Sequence, residues 1–474
     1  YNVAIGFEAG KLVSTGVQNT IVGAQAGDAL TTGSYNTVFG YEALTTEDAH
    51  SGNTAIGYQA LRVQDAGSNA YNTAVGHQAG VSVTTGVLNT IVGSLAGDAL
   101  TTGNRNVAIG YEALSTEDTG SRNVAIGEGS LTLLNYDGAA YNVAIGYDSG
   151  HAMTTGTLNT LIGGTAGDAL TTGAANVAMG YGALGLEDTG GRNVAIGYNS
   201  LMALNYDGFA YTTAVGYGAG SGITTGLYNT ILGANAGLAL TTGGENVAVG
   251  FESLMTEDAH GRNVALGYKT LRLQDAGAEA YNTAVGYAAG GAMTTGTNNT
   301  LVGGQAGDAL TTGSSNVAVG TFALTTEDTG TRNVAVGWGT LTAQNYDGAG
   351  YNTAIGYDAG NDITTGNENT IIGGLAGDAL TTGSANVAVG YLALSAEDAH
   401  GTNTAIGFKT LRVQDAGANA YNVAVGYQTG ENVTTATDNV LVGAFAGDAL
   451  TTGPYNVAIG RSALSLEDAY GYNV

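Results

Sequence analysis

Three small or β-branched residues, held between an asparagine and a glycine, recur along the whole chain. Examples are Asn19-Thr20-Ile21-Val22-Gly23, Asn53-Thr54-Ala55-Ile56-Gly57 and Asn72-Thr73-Ala74-Val75-Gly76. With the asparagine as position 1, positions 2 to 4 carry strand chemistry bounded by glycine. Positions 2 and 4 share one face of such a strand and position 3 takes the other. We read position 2 as facing the core. A second apolar stretch follows. Position 12 is apolar at Val83, Met153, Ile223, Met293, Ile363 and Val433, and at Leu30, Leu100, Leu170 and Leu240. Elsewhere the anchor moves to a leucine at position 9, as in Leu44, Leu61, Leu114 and Leu131. Each unit is therefore expected to hold two short strands and two turns.

The spacing is hierarchical. Units of 17, 17, 17 and 19 residues make a 70-residue cycle, and 27 complete units fill the chain: seven of each of the first three types and six of the fourth. A helix is excluded, because glycines at positions 5 and 15 each cost about 1 kcal/mol against alanine. The expected fold is all-β: a parallel β-solenoid in which neighbouring units stack at about 4.8 Å and supply each other's core. Residues 1–474 read as a single continuous repeat region, with cycles starting at 1, 71, 141, 211, 281, 351 and 421. Glycine stands at position 5 of every unit, which calls for a positive φ or a close approach between turns. Asparagine holds position 1 in all units but the one that begins at Thr212, so a ladder of amide hydrogen bonds is expected. The fourth unit adds a loop, Gln-Asp-Ala-Gly (from Gln64, Gln274 and Gln414) or Asn-Tyr-Asp-Gly (from Asn135, Asn205 and Asn345). That unit ends in tyrosine every time: Tyr71, Tyr141, Tyr211, Tyr281, Tyr351 and Tyr421. At about 19 Å per cycle these rings are too far apart to stack on one another, so they pack on their own loops or on a neighbouring chain.

Composition narrows the partners. There are 39 acidic against 12 basic residues, a net charge of −27. This argues against nucleic acid, whose phosphates need basic patches, and against anionic membrane surfaces. Cysteine is absent, so no disulfide framework or thiolate chemistry is expected. No apolar run is long enough to span a bilayer as a helix. The chain opens in mid-register at Tyr1 and stops inside a unit, as a piece of a longer fibre would.

The leading candidate for a site is the acidic pair at positions 12 and 13 of the third unit. It recurs at Glu47-Asp48, Glu117-Asp118, Glu187-Asp188, Glu257-Asp258, Glu327-Asp328, Glu397-Asp398 and Glu467-Asp468. Adjacent carboxylates could hold Ca²⁺, which takes six to eight oxygen ligands. The glycine-aspartate repeat of Ca²⁺-binding β-rolls is missing, however, so a solvated, turn-forming acidic row is preferred. Paired carboxylates also serve glycoside hydrolysis, but identical copies along an array argue against it. Asp28, Asp98, Asp168, Asp308, Asp378 and Asp448 share a position that is Leu238 in one copy, which indicates a turn or surface role. His50, His260 and His400 share a third-unit position that is glycine in other copies, and read as surface variation. The glycine-rich Gly216–Gly222 lacks the following helix of a dinucleotide loop. Threonine ladders raise ice binding, but threonine and valine alternate at position 2 and a strict Thr-x-Thr array is missing. We assign no catalytic, cofactor-binding or metal-ligating residue, and no cofactor.

The pentad Asn-Val-Ala-Ile-Gly, as at 106–110 and 142–146, resembles the head repeat of the YadA-type trimeric autotransporter adhesins. The longer Asn-Thr-Ala-Ile-Gly-Tyr-Gln-Ala-Leu, at 53–61, is similar to repeats of phage tail fibres. The resemblance covers the whole chain, although the adhesin heads use shorter coils. It implies a left-handed parallel β-roll, three chains side by side, on an extracellular or virion surface. With the uninterrupted repeat, it leads us to expect the structural shaft of a fibre, a homotrimer that positions a distal receptor-binding tip for attachment. The alternatives are a bacterial surface adhesin whose rod itself binds host matrix or glycans, and a self-assembling extracellular filament without a receptor. A host surface glycan or protein is the partner these readings allow besides the chain itself. An enzyme is the weakest class.

Overall fold

In a computed structural model the described residues are 1–466 and 468–474. They cluster into two compact units, Tyr1–Asn235 and Ala236–Val474. Each is a parallel β-solenoid. The first contains the strands from Val3–Ile5 to Thr230–Leu232, and the second those from Val247–Val249 to Val457–Ile459. Among the described residues there is no helix, and so none long and apolar enough to cross a membrane.

Every strand has three residues, positions 2 to 4, and within each of the two compact units neighbouring strands pair position for position. Thr90, Ile91 and Val92 face Val107, Ala108 and Ile109. The longer fourth coil keeps this register, since Thr54, Ala55 and Ile56 face Thr73, Ala74 and Val75. Its two extra residues are absorbed outside the strand.

Among the described residues each coil has one strand, not two. The second apolar stretch cannot extend, because alternate residues after the strand take positive φ: Gly163 at 138°, Thr165 at 52° and Gly167 at 57°. The backbone still hydrogen-bonds from coil to coil around this bend. Thr165 N–H donates to Tyr147 O at 2.8 Å, and Gly150 N–H donates to Ala166 O at 3.0 Å. Buried peptide groups are thereby satisfied without a second strand.

The position 5 glycine meets both demands read from the sequence. A Cβ on Gly163 would lie 2.5 Å from Gly180 O in the next coil, at a φ that side chains rarely adopt.

Position 3 faces the core: Ile21, Ala55, Ile91 and Leu161 are fully buried. Positions 2 and 4 face outward, as Thr90 exposed and Val92 half-buried illustrate. This corrects the core-facing assignment of position 2. Both faces of the strand are apolar, so the pattern alone could not select one. Position 12 points inward in every coil type, stacking Leu30, Glu47, Gln64 and Val83 in successive coils, all fully buried. Where position 9 is glycine, the room goes to a neighbour: a Cβ on Gly167 would lie 2.8 Å from Leu170 Cδ1. Where position 9 is leucine, as in Leu114 and Leu184, it enters the core itself in a left-handed conformation, with φ of 55° and 56°. A buried leucine contributes about 1.5–3 kcal/mol. Ordering each residue costs about 1–2 kcal/mol, so a coil is stable only in a stack.

The expected asparagine ladder is present, but it bonds chiefly to backbone. Asn106 Nδ2 donates to Gly120 O of its own coil at 2.8 Å. Its Oδ1 accepts the N–H of Asn123 in the next coil at 2.9 Å. Thr212 keeps the incoming bond, donating its N–H to Asn193 Oδ1 at 3.2 Å. In the fourth-type coils, Asn53, Asn123, Asn193, Asn263, Asn333 and Asn403 have a buried Nδ2 without a protein partner. The two extra residues lie where the shorter coils supply the position 15 carbonyl.

A glutamate–histidine–aspartate cluster and an aromatic column

The acidic pairs are not a uniformly solvated row. Glu47, Glu117, Glu187, Glu257, Glu327 and Glu397 are fully buried at the inward-facing position 12, while the following aspartates are exposed or half-buried. Glu467 of the last pair lies outside the described residues. Burial raises the carboxyl pKa of all six, to about 7 for Glu257 and Glu397.

These glutamates occur in two settings. In one, position 15 of the same coil is glycine. Glu117 Oε1 accepts the N–H of Gly120 at 2.6 Å, and its Oε2 accepts the N–H of Tyr136 in the next coil at 3.2 Å. Glu327 repeats this with Gly330 at 2.6 Å and Tyr346 at 3.2 Å, and Glu187 repeats it with Gly190 and Tyr206. The loop is pinned further by Thr119 Oγ1 donating to Asp137 Oδ1 at 2.7 Å, and by a bridge between Ser121 and Ala139.

In the other setting position 15 is histidine. A Cβ on Gly190 would stand 2.5 Å from Glu187 Oε1, so a side chain there must displace the carboxylate. Accordingly, Glu47 Oε1 accepts the N–H of His50 at 2.9 Å and meets its Nδ1 at 2.8 Å. Glu257 and Glu397 lie 3.5 Å and 3.4 Å from the Nδ1 of His260 and His400. The second glutamate oxygen, Oε2, has no hydrogen-bond partner at Glu47, Glu257 or Glu397. An aspartate from the next coil completes each group. Donor atoms of Glu47, Asp48, His50 and Asp65 lie within 4.8 Å of one another, as do those of Glu257, Asp258, His260 and Asp275, and of Glu397, Asp398, His400 and Asp415. These three histidines are therefore tied to a buried carboxylate, which corrects their reading as independent surface variation. In the sequence Asp65, Asp275 and Asp415 read only as loop residues of the fourth unit. The signal that finds them is co-occurrence: histidine always precedes a Gln-Asp-Ala-Gly loop, and glycine always precedes Asn-Tyr-Asp-Gly.

The other candidates are dispersed. The second-unit aspartates are half-buried in the bend, and burial raises the pKa of Asp98, Asp168, Asp308 and Asp378. Tyr141 and Tyr351 pack not on their own loops but on the arginine that ends the preceding coil: Arg332 Nη1 donates to Tyr351 Oη at 2.8 Å, and the Arg122 guanidinium lies 5.2 Å from the Tyr141 ring centre. Gly216 to Gly222 leads from a strand into the bend, with no helix after it.

A second surface feature follows from the register. Position 6 projects outward and is aromatic in runs of up to three coils. The rings of Tyr181, Tyr198 and Tyr217 stack at 5.7 Å and 5.2 Å. Those of Tyr391, Phe408 and Tyr427 repeat these spacings. The second-type coil interrupts each run with a small residue such as Ser94, Gly164 or Gly374. Comparison with known protein families and with curated proteins finds no match to this chain.

Proposed function

We propose that this chain is the structural shaft of an extracellular or virion fibre, assembled as a homotrimer that positions a distal receptor-binding tip. The observation that carries the reading is the unbroken coil-to-coil register within each unit, which holds even across the 19-residue coils. Such an array is built for extension and repetition and not around one site. Its outward strand face, with Val319 and Val336 half-buried and Leu266 and Ile355 exposed, supports lateral packing of identical chains. The role is mechanical and not enzymatic. Light scattering tests it: the expected mass is about three times the 47.1 kDa chain. The V319K/V336K variant should dissociate to monomers with an unchanged circular-dichroism spectrum. A wild-type monomer removes the trimer from the proposal.

The second reading is an adhesin whose shaft itself contacts host glycans or proteins. It is favoured by the exposed aromatic column, in which Tyr391 and Tyr427 are about half exposed. Glycan-array binding that is lost in Y391A/F408A would support it, and binding unchanged by that variant would count against it.

A further inference from the structure

We propose that the three glutamate–histidine–aspartate clusters are divalent-cation sites of the Zn²⁺/Co²⁺ class, centred on Glu47/His50/Asp65, Glu257/His260/Asp275 and Glu397/His400/Asp415. This goes beyond the shaft reading and does not depend on it.

Three observations converge. The donor set is one imidazole nitrogen with carboxylate oxygens, all within 4.8 Å of one another. A single ion with Zn–N and Zn–O distances of about 2.0–2.2 Å can be reached from such a spacing by small side-chain rotations. Next, Glu47, Glu257 and Glu397 are fully buried, yet each has an Oε2 that no hydrogen bond satisfies. A buried carboxylate oxygen left unpaired is costly, and a cation is the partner that this environment fits. Finally, the chain contains its own control. Where position 15 is glycine, the same Oε2 accepts a tyrosine N–H, and the next coil offers Asn135, Asn205 or Asn345 in place of the aspartate. Both candidate ligands, histidine and aspartate, are exchanged together for residues that cannot ligate as an imidazole or an anion.

The imidazole selects the metal class. Ca²⁺ prefers six to eight oxygens, whereas a mixed nitrogen and carboxylate set suits Zn²⁺ and its neighbours. The aspartates of each cluster are exposed, so an ion can enter from solvent and keep water ligands. Binding displaces any proton held by the glutamate or histidine, so affinity should fall as pH drops. The net charge of −27 favours cation capture.

The test is titration of the EDTA-stripped 474-residue chain with Co²⁺, followed by d–d absorption and calorimetry. Three saturable sites per chain are expected, with Zn²⁺ displacing Co²⁺. The H50G/H260G/H400G variant, which installs the glycine of the sister coils, should abolish them. D65N/D275N/D415N should weaken them about tenfold or more while leaving the circular-dichroism spectrum unchanged. No saturable binding to the wild type overturns the proposal. Binding that survives both variants overturns it as well. Ca²⁺ displacing Co²⁺ at equal concentration overturns the metal class.

Discussion

Asn176 joins two coils at one corner: its Oδ1 accepts the backbone N–H of Asn193 at 3.0 Å, while its Nδ2 donates to Gly190 O at 2.9 Å. Asn176→Ala leaves a buried N–H and a buried carbonyl unpaired, each worth about 1–3 kcal/mol. The expected loss is about 2–5 kcal/mol, read by urea denaturation. Asn176→Thr, which installs the residue the chain uses at Thr212, should lose about half as much. Equal losses for the two variants would show that the side chain's outgoing bond is irrelevant.

Gly163 and Gly164 are adjacent but differ in what they demand. Gly163 sits at φ 138° and 2.5 Å from where a Cβ would strike Gly180 O, whereas a Cβ on Gly164 meets nothing closer than Tyr181 at 3.4 Å. Gly163→Ala should lower stability by more than about 3 kcal/mol, since strain of about 1–3 kcal/mol adds to a backbone clash. Gly164→Ala should stay within about 0.5 kcal/mol. Thermal melts of the two variants make the comparison.

Burial raises the Glu257 pKa to about 7, with His260, Asp258 and Asp275 around it. The folded form therefore holds its proton more tightly than the unfolded form. The stabilisation is complete below about pH 4.5 and is lost as pH rises through about 7. Ionising this one group costs on the order of 3 kcal/mol. In metal-free buffer, Glu257→Gln should flatten the fall in melting temperature between pH 5 and about 7.5. An unchanged slope would place the titration elsewhere.

Gln344 occupies the inward position 12 that Leu134 and Leu204 hold in sister coils. Its Oε1 accepts from Asn352 Nδ2 at 2.7 Å, but its own Nε2 is buried without a partner. Asn352 Nδ2 also donates to Gly366 O at 2.8 Å, so it keeps a partner without the glutamine. Gln344→Leu should therefore be neutral or stabilising by up to about 1 kcal/mol. A loss above about 1 kcal/mol in denaturant titration would mean that the glutamine bond is essential.

The period, the coil, the strand at positions 2 to 4 and the glycine at position 5 were all legible in the amino-acid order. Each follows from local chemistry repeated at a fixed interval: a β-branched triplet such as Thr90-Ile91-Val92, and a backbone at Gly93 with φ 136° that residues with a side chain rarely adopt. What the order left undecided was orientation and distance. Ala108 and its neighbours Val107 and Ile109 are all apolar, and only closure of the coil turns Ala108 inward. The second apolar stretch reads as strand until residues such as Thr165 are seen at positive φ, where local propensity yields to coil geometry. Glu47 and Asp48 read as one solvated pair, but the coil sends the first into the core and the second to solvent. Glu47, His50 and Asp65 are spread over two coils, and only the coil-to-coil stacking brings their donor atoms within 4.8 Å. The sequence by itself thus determined the repeat and its backbone demands, because those are local. Tertiary structure decided which faces are buried and which charges meet, because both depend on how one coil lies against the next.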